Sequence, residues 1–181
     1  QQVNKGGSVQ LVDANPDADD EVILAAGSTI NVNGGFIINR DGSISAGDAG
    51  SISLVADRLQ TAATLTGLAL EGENGGSLFM HTGSITFAAS AVPLPAGFVF
   101  DDQLPKSMRG HLVLGQNDLA NSGFTQHSFS SIGDLVVNKG VSIAPSAVRI
   151  KTPFLTRSGY NLSNPGLVKV SSEYFGDSSL S

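Results

Sequence analysis

An all-β fold, wound as a right-handed parallel β-helix (a solenoid), is what this sequence predicts, and three observations predict it. Short apolar stretches alternate with small polar residues at period two. A five-residue phrase recurs as Gly-Ser-Ile-Ser-Leu at 50–54, Gly-Ser-Leu-Phe-Met at 76–80 and Gly-Ser-Ile-Thr-Phe at 83–87. The spacing of the glycines is also regular: Gly42 to Gly67 is 25 residues and Gly50 to Gly76 is 26, with inner steps of 8 and 7.

Period two puts alternate side chains on opposite faces of an extended chain. One parity of 50–56 carries Ile52, Leu54 and Ala56, and the other begins with Ser51 and Ser53. The same alternation marks Val9/Leu11, Ile30/Val32, Leu68/Leu70, Leu78/Met80, Ile85/Phe87, Leu112/Leu114, Val141/Ile143, Val148/Ile150 and Val168/Val170. Each pair predicts a short, half-buried strand. No stretch has capped apolar residues at i, i+3 and i+4, so helix should be scarce.

A period of about 25 residues, divided into three strand-plus-turn units of about eight, fits one turn of a three-sided coil with ~4.8 Å between stacked strands. Glycine is expected at the corners because it reaches positive φ, with Asn33-Gly34-Gly35 and Asn74-Gly75-Gly76 as corner candidates. Asn-Gly pairs also favour hairpins, which keeps an antiparallel sandwich as the rival architecture. Some seven coils would give a rod of roughly 35 Å. Its ends would expose strand edges unless continued, so the whole of 1–181 reads as one segment of a longer chain.

The pattern breaks twice. "DANPDADDE" at 13–21 and the proline-bearing "SAVPLPAGFVFDDQLPKSMRG" at 90–110 read as loops extruded from the coil. Loops on rigid scaffolds often carry binding; the alternative is a flap that shields a sheet face. After the second loop, strands return in "HLVLGQNDL", "FTQHSFSSIGDLVVNKGVSIAP" and "AVRIKT", and 153–181 reads as a cap or an irregular coil.

Composition excludes several classes. Ten Lys+Arg against 16 Asp+Glu give a net charge of −6, with no basic run, which argues against a nucleic-acid partner. The absence of cysteine removes disulfides, thiolate metal sites and a cysteine nucleophile. No apolar run approaches the ~20 residues that span a bilayer as a helix, so membrane insertion is not expected.

Candidate chemistry is sparse. Asp13, Asn15, Asp17 and Asp19 place oxygen ligands at alternate positions, as a calcium loop begins. The sixth position is Ala18 instead of Gly, the twelfth is Leu24 instead of Glu, and Pro16 intrudes, so a solvated acidic turn is the default. Asp101-Asp102, Gly110-His111 and Arg149-Ile150-Lys151 resemble in order the motif series of polygalacturonases, which are also parallel β-helices. In those glycosidases, paired carboxylates act as acid and base. Here the first Asn-Thr-Asp motif is absent, His111 is followed by Leu, and Arg149 and Lys151 are equally well explained as outward partners of Val148 and Ile150. His81, His111 and His127 lack ligand spacing, and Asn31, Asn33 and Asn39 are candidates for a structural ladder. No catalytic, cofactor-binding or metal residue is therefore assigned.

The segments "GDAGSISLVADRL", "ENGGSLFMHTGSITF" and "SGFTQHSFSSIGDLVVNKGVSIAP" resemble the filamentous-haemagglutinin-like exoproteins of Gram-negative bacteria, over roughly 27–152. These are passengers of two-partner secretion that form β-helical surface fibres. The family's N-terminal secretion-recognition motif is not seen. The resemblance implies a secreted or cell-surface adhesin or stalk that is not an enzyme, exported through an outer-membrane partner transporter. Its partner would be a host or bacterial surface receptor, glycan or protein. The alternative function is a polysaccharide-acting enzyme of the polygalacturonase type.

Overall fold

The computed structural model describes residues 3–13, 21–99 and 102–142, and beyond them the backbone of strands at 147–151, 154–157 and 167–171. The chain begins with β1 (Ser8–Val12), β2 (Val22–Leu24), β3 (Thr29–Asn31), β4 (Phe36–Ile38) and β5 (Ile44–Ala46). It continues through β6 (Ser51–Val55), β7 (Leu59–Thr61), β8 (Thr64–Thr66), β9 (Ser77–Thr82), β10 (Ser84–Ala88) and β11 (His111–Gly115). One five-residue helix, α1 (Gln116–Ala120), precedes β12 (Gln126–Ser131), β13 (Asp134–Val137), β14 (Ala147–Lys151), β15 (Phe154–Arg157) and β16 (Leu167–Ser171). The fold is all-β.

The largest sheet has six strands in strict chain order, β1-β6-β9-β12-β14-β16, and every neighbouring pair is parallel. Two-stranded parallel pairs β2-β7 and β3-β8 repeat the same stacking. The antiparallel neighbours that a sandwich would need occur, among the described residues, only in the hairpin β4-β5.

Register places the alternating residues in columns. Val9, Ile52, Leu78, His127, Val148 and Val168 share one rung position, and Leu11, Leu54, Met80, Phe129, Ile150 and Val170 share the rung two residues on. Ile52, Leu54, Leu78, Met80 and Phe129 are each buried to within 2%. On the second sheet, Leu112, Ile85 and Leu135 form the equivalent column. The inward faces meet where Phe87 of β10 sets its ring edge-on to Phe129 of β12, with centroids 4.9 Å apart. Each such side chain contributes about 1.5–3 kcal/mol by leaving water, so the columns are the main source of stability.

The interval between stacked strands is not uniform. Ser8 faces Ser51, 43 residues on; His81 faces Ser130, 49 residues on. The step from Ser51 to Ser77 is 26, and those from Gln126 to Ala147 and on to Leu167 are 21 and 20. The two long intervals carry insertions. The first contains the hairpin β4-β5, and the other the 89–110 loop with β11 and α1. Strand β11 is out of sequence: it pairs with β10 on the side away from β13, giving the order β11-β10-β13-β15.

Three local expectations fail for identifiable reasons. Leu68 and Leu70 form no strand; they lie in an open corner, 48% and 41% exposed. The strand expected through "HLVLGQNDL" stops at Gly115, where Asp118 accepts the Gly115 N–H and turns the chain into α1. The corner glycines at 34, 35, 75 and 76 do not have positive φ. Close approach explains the repeated phrase instead. A Cβ on Gly50 would collide with the backbone of Gly7, one on Gly76 would lie 2.6 Å from the Gly50 carbonyl oxygen, and one on Gly83 2.6 Å from that of Gly110. Those carbonyls are occupied, since Ser51 N–H donates to Gly7 O and Ser77 N–H to Gly50 O. Glycine thus lets each strand enter its sheet directly beneath the one before.

Candidate functional surface

The outward parity of the six-stranded sheet forms three rungs. Ser8, Ser51, Ser77 and Gln126 make the first, Gln10, Ser53, Phe79 and Ser128 the second, and Val12, Val55, His81 and Ser130 the third. None of these twelve residues is acidic, although the chain has 16 Asp+Glu. Alternation explains the arrangement: the inward parity takes the apolar residues and the outward one keeps small hydroxyls that pair along the rung. Ser8 and Ser51 share a hydrogen bond between hydroxyls, and Ser130 Oγ lies 3.0 Å from His81 Nδ1. Register carries the second rung on to Arg149 and Lys169, and the third to Lys151 and Ser171.

An open trough of about 360 Å³ borders the first rung, floored by Gly6, Gly7, Gly50 and Gly75 and walled by Ser8, Ser51, Ser77 and Gln126. It exists because glycines stack where other residues would project. Beyond it, Lys5 Nζ meets Asp48 Oδ2 at 3.0 Å while Asp48 Oδ1 accepts the backbone and side-chain N–H groups of Asn74. The Asn74 donors, then Lys5, hold the Asp48 carboxyl down at about 2.

Among the described residues, the 90–110 loop is partly buried and partly exposed. Leu104 is fully buried, and its N–H donates to Glu21 Oε2. Glu21 Oε1 lies 3.7 Å from Arg109 Nε and 4.0 Å from Arg58. Buried Gln60 on β7 donates to the carbonyls of Met108 (2.7 Å) and His111 (2.8 Å), which locks the entry to β11. Ala91, Val92 and Pro93 line an apolar hollow of about 240 Å³ with Leu78, Met80, Leu114 and Leu119. Val92 and Val99 remain 50% and 60% exposed.

The glycosidase residues are not brought together among the described residues. Asp102 accepts the N–H of Val99 in its own turn. His111 faces β10: Nδ1 is 2.9 Å from Ser84 Oγ and Nε2 is 3.2 Å from Thr86 Oγ1. Because the Ser84 hydroxyl donates to Gly110 O, Nδ1 is the donor to Ser84, leaving Nε2 to accept from Thr86. Asp101 lies outside the described residues, as do the side chains of Arg149 and Lys151 and the acidic stretch 14–20 with Asn15, Asp17 and Asp19. Asn31 and Asn33 brace corners instead of forming a ladder: Asn31 Oδ1 accepts Asn33 N–H, and Asn33 Oδ1 accepts Leu68 N–H. Asn39 bonds the hydroxyls of Ser43 and Ser45.

His127 is the unforeseen residue. It occupies an inward column position, is 2% exposed, and neither ring nitrogen has a hydrogen-bond partner among the described residues. Its ring stacks on Phe129 at 6.1 Å and meets Phe124 edge-on at 6.2 Å. Burial among these rings lowers its pKa to about 4. The signal was present in the sequence, since His127 shares parity with Phe129 between Ser128 and Ser130.

Compared with family models, curated proteins and solved structures, the chain gives no significant match to any.

Proposed function

We propose that this chain is a stretch of right-handed parallel β-helix from a secreted, cell-surface adhesin or fibre of the filamentous-haemagglutinin-like kind, acting by binding and not by catalysis. The reading rests above all on the six-stranded sheet, in which parallel strands follow one another in chain order. Chain-order parallel stacking requires the polypeptide to return to the same side after every interval, and such crossovers are right-handed in nearly all sheets. A stack of this kind is stiff along its axis and offers a flat, regularly spaced face, which suits a stalk and an extended receptor equally.

The receptor-binding part is assigned to the acid-free rungs. Hydroxyls and Gln126 beside Phe79, 37% exposed, give a glycan or a protein strand both hydrogen bonds and a ring to lie on. The proposed route to the surface is export through an outer-membrane partner transporter. A screen of the chain against glycans and extracellular-matrix proteins tests the assignment, with Phe79→Ala and Gln126→Ala as face variants. Binding that weakens tenfold or more in either variant, while thermal stability holds, supports it. Binding unaffected by both, or polygalacturonate hydrolysis lost in Asp102→Asn, refutes it.

A further inference from the structure

The antiparallel hairpin β4-β5 differs from everything around it. Asn39 N–H donates to Ser43 O and Gly47 N–H to Gly35 O, so the odd-numbered residues from 35 to 47 hold the two strands together. In a two-residue period, the N–H and C=O groups of Phe36 and Ile38 then point away from β5. No hydrogen bond from either N–H is found among the described residues. Phe36 pairs with Ala46 and Ile38 with Ile44 across the hairpin, so these residues share one face. Phe36, Ile38 and Ile44 are 58%, 66% and 61% exposed. The strand therefore combines a free hydrogen-bonding edge with an uncovered apolar face, and no Lys, Pro or bulge guards it.

We propose that β4 pairs with β4 of a second copy of this chain, antiparallel and about a two-fold axis at Ile37, to make a continuous four-stranded sheet. Phe36 of each copy then exchanges two backbone hydrogen bonds with Ile38 of the other, four in all. The sequence suits this occupant, because Phe-Ile-Ile is β-branched and aromatic and can face itself without like charges opposed. The whole hairpin, 36–46, carries one Arg and one Asp, so it has no net charge with which to repel a copy. The area also fits. Beside the hairpin base, Leu68 accepts the Gly34 N–H and, like Leu70, is nearly half exposed. Together with the three hairpin residues, these leave on the order of 450–500 Å² of apolar surface in water. An ordinary interface covers about 800 Å² per partner, somewhat over half of it apolar, so the demand is of the same size. An isologous contact closes after two copies, whereas a head-to-tail contact would keep growing.

Sedimentation of the chain over a wide concentration range reads the result. The mass should double from 18.5 kDa and go no further. Ile38→Pro removes an outward N–H, which an edge strand tolerates, together with one apolar side chain of the proposed interface, and should shift the midpoint of association at least tenfold to higher concentration. The chain has no cysteine, so Ile37→Cys places one thiol on the proposed axis, in a non-hydrogen-bonded pair whose Cα separation of ~4.5 Å accepts a disulfide. It should give a covalent dimer on mild oxidation, while Val99→Cys, also exposed, should not. A chain that stays monomeric at every concentration overturns the proposal. So does open-ended growth, a dimer unmoved by Ile38→Pro, or cross-linking through Val99→Cys as readily as through Ile37→Cys.

Discussion

Acidification should loosen this protein from the inside, through His127. The ring is 2% exposed, both nitrogens lack hydrogen-bond partners among the described residues, and its register partner on β9 is the buried Leu78. Among the described residues, the other buried polar side chains are Gln60, Thr82, Ser122 and Ser131, none of them a carboxylate that could stabilise an imidazolium. The folded pKa is lowered to about 4 from 6.5. Above pH 6.5 the ring is neutral in both states and costs nothing extra. As pH falls below 6.5 the unfolded chain takes up a proton that the folded chain refuses, and stability drops until the folded pKa is reached near 4. That gap corresponds to about 3 kcal/mol, a large share of a typical 5–15 kcal/mol. Urea unfolding at pH 7.5, 6, 5 and 4 measures it, with His127→Leu as the comparison. The leucine variant should lose about 3 kcal/mol less than the parent between pH 7.5 and 4. It should also be more stable at pH 7.5 by ~1–3 kcal/mol, because two unsatisfied polar atoms leave the core. Parallel pH profiles for the two proteins would refute the reasoning.

Two further predictions concern how the stack is held together. Gly50→Ala should cost more than ~2 kcal/mol and lower Tm accordingly, because its methyl meets the Gly7 backbone; Gly7→Ala, whose methyl meets nothing within 4 Å, should stay within ~0.5 kcal/mol of the parent. Equal effects of the two would mean that close approach is not what the repeated phrase provides. Gln60→Leu strips donors from the Met108 and His111 carbonyls, so tryptic cleavage after exposed Lys106 should quicken roughly tenfold, as expected for a ~1.4 kcal/mol easier local opening. An unchanged cleavage rate would show that the loop is fastened elsewhere.

Much of this was legible in the chain because alternation is a local property. The parity of Ile52/Leu54, Leu78/Met80 and Ile85/Phe87 told which side chains would be buried, since a strand has only two faces. The same rule would have caught His127, had its parity been weighed above its chemistry. The sequence by itself therefore determined the all-β class, the scarcity of helix, and the strands around Val9/Leu11, Ile52/Leu54, Leu78/Met80, Ile85/Phe87 and Leu112/Leu114 with their inward residues. Of the two interruptions it marked, 90–110 separates β10 from β11, whereas 14–20 lies outside the described residues.

Only the tertiary structure decided the rest. The strand β11 slips in beside β10 out of order, Gln60 finds carbonyls 48 and 51 residues away, and the phrase glycines serve neighbouring strands instead of their own turns. These are contacts between residues far apart in sequence, fixed by which backbone lies within reach once the strands have stacked. No period within the chain encodes a distance to a neighbour that does not yet exist.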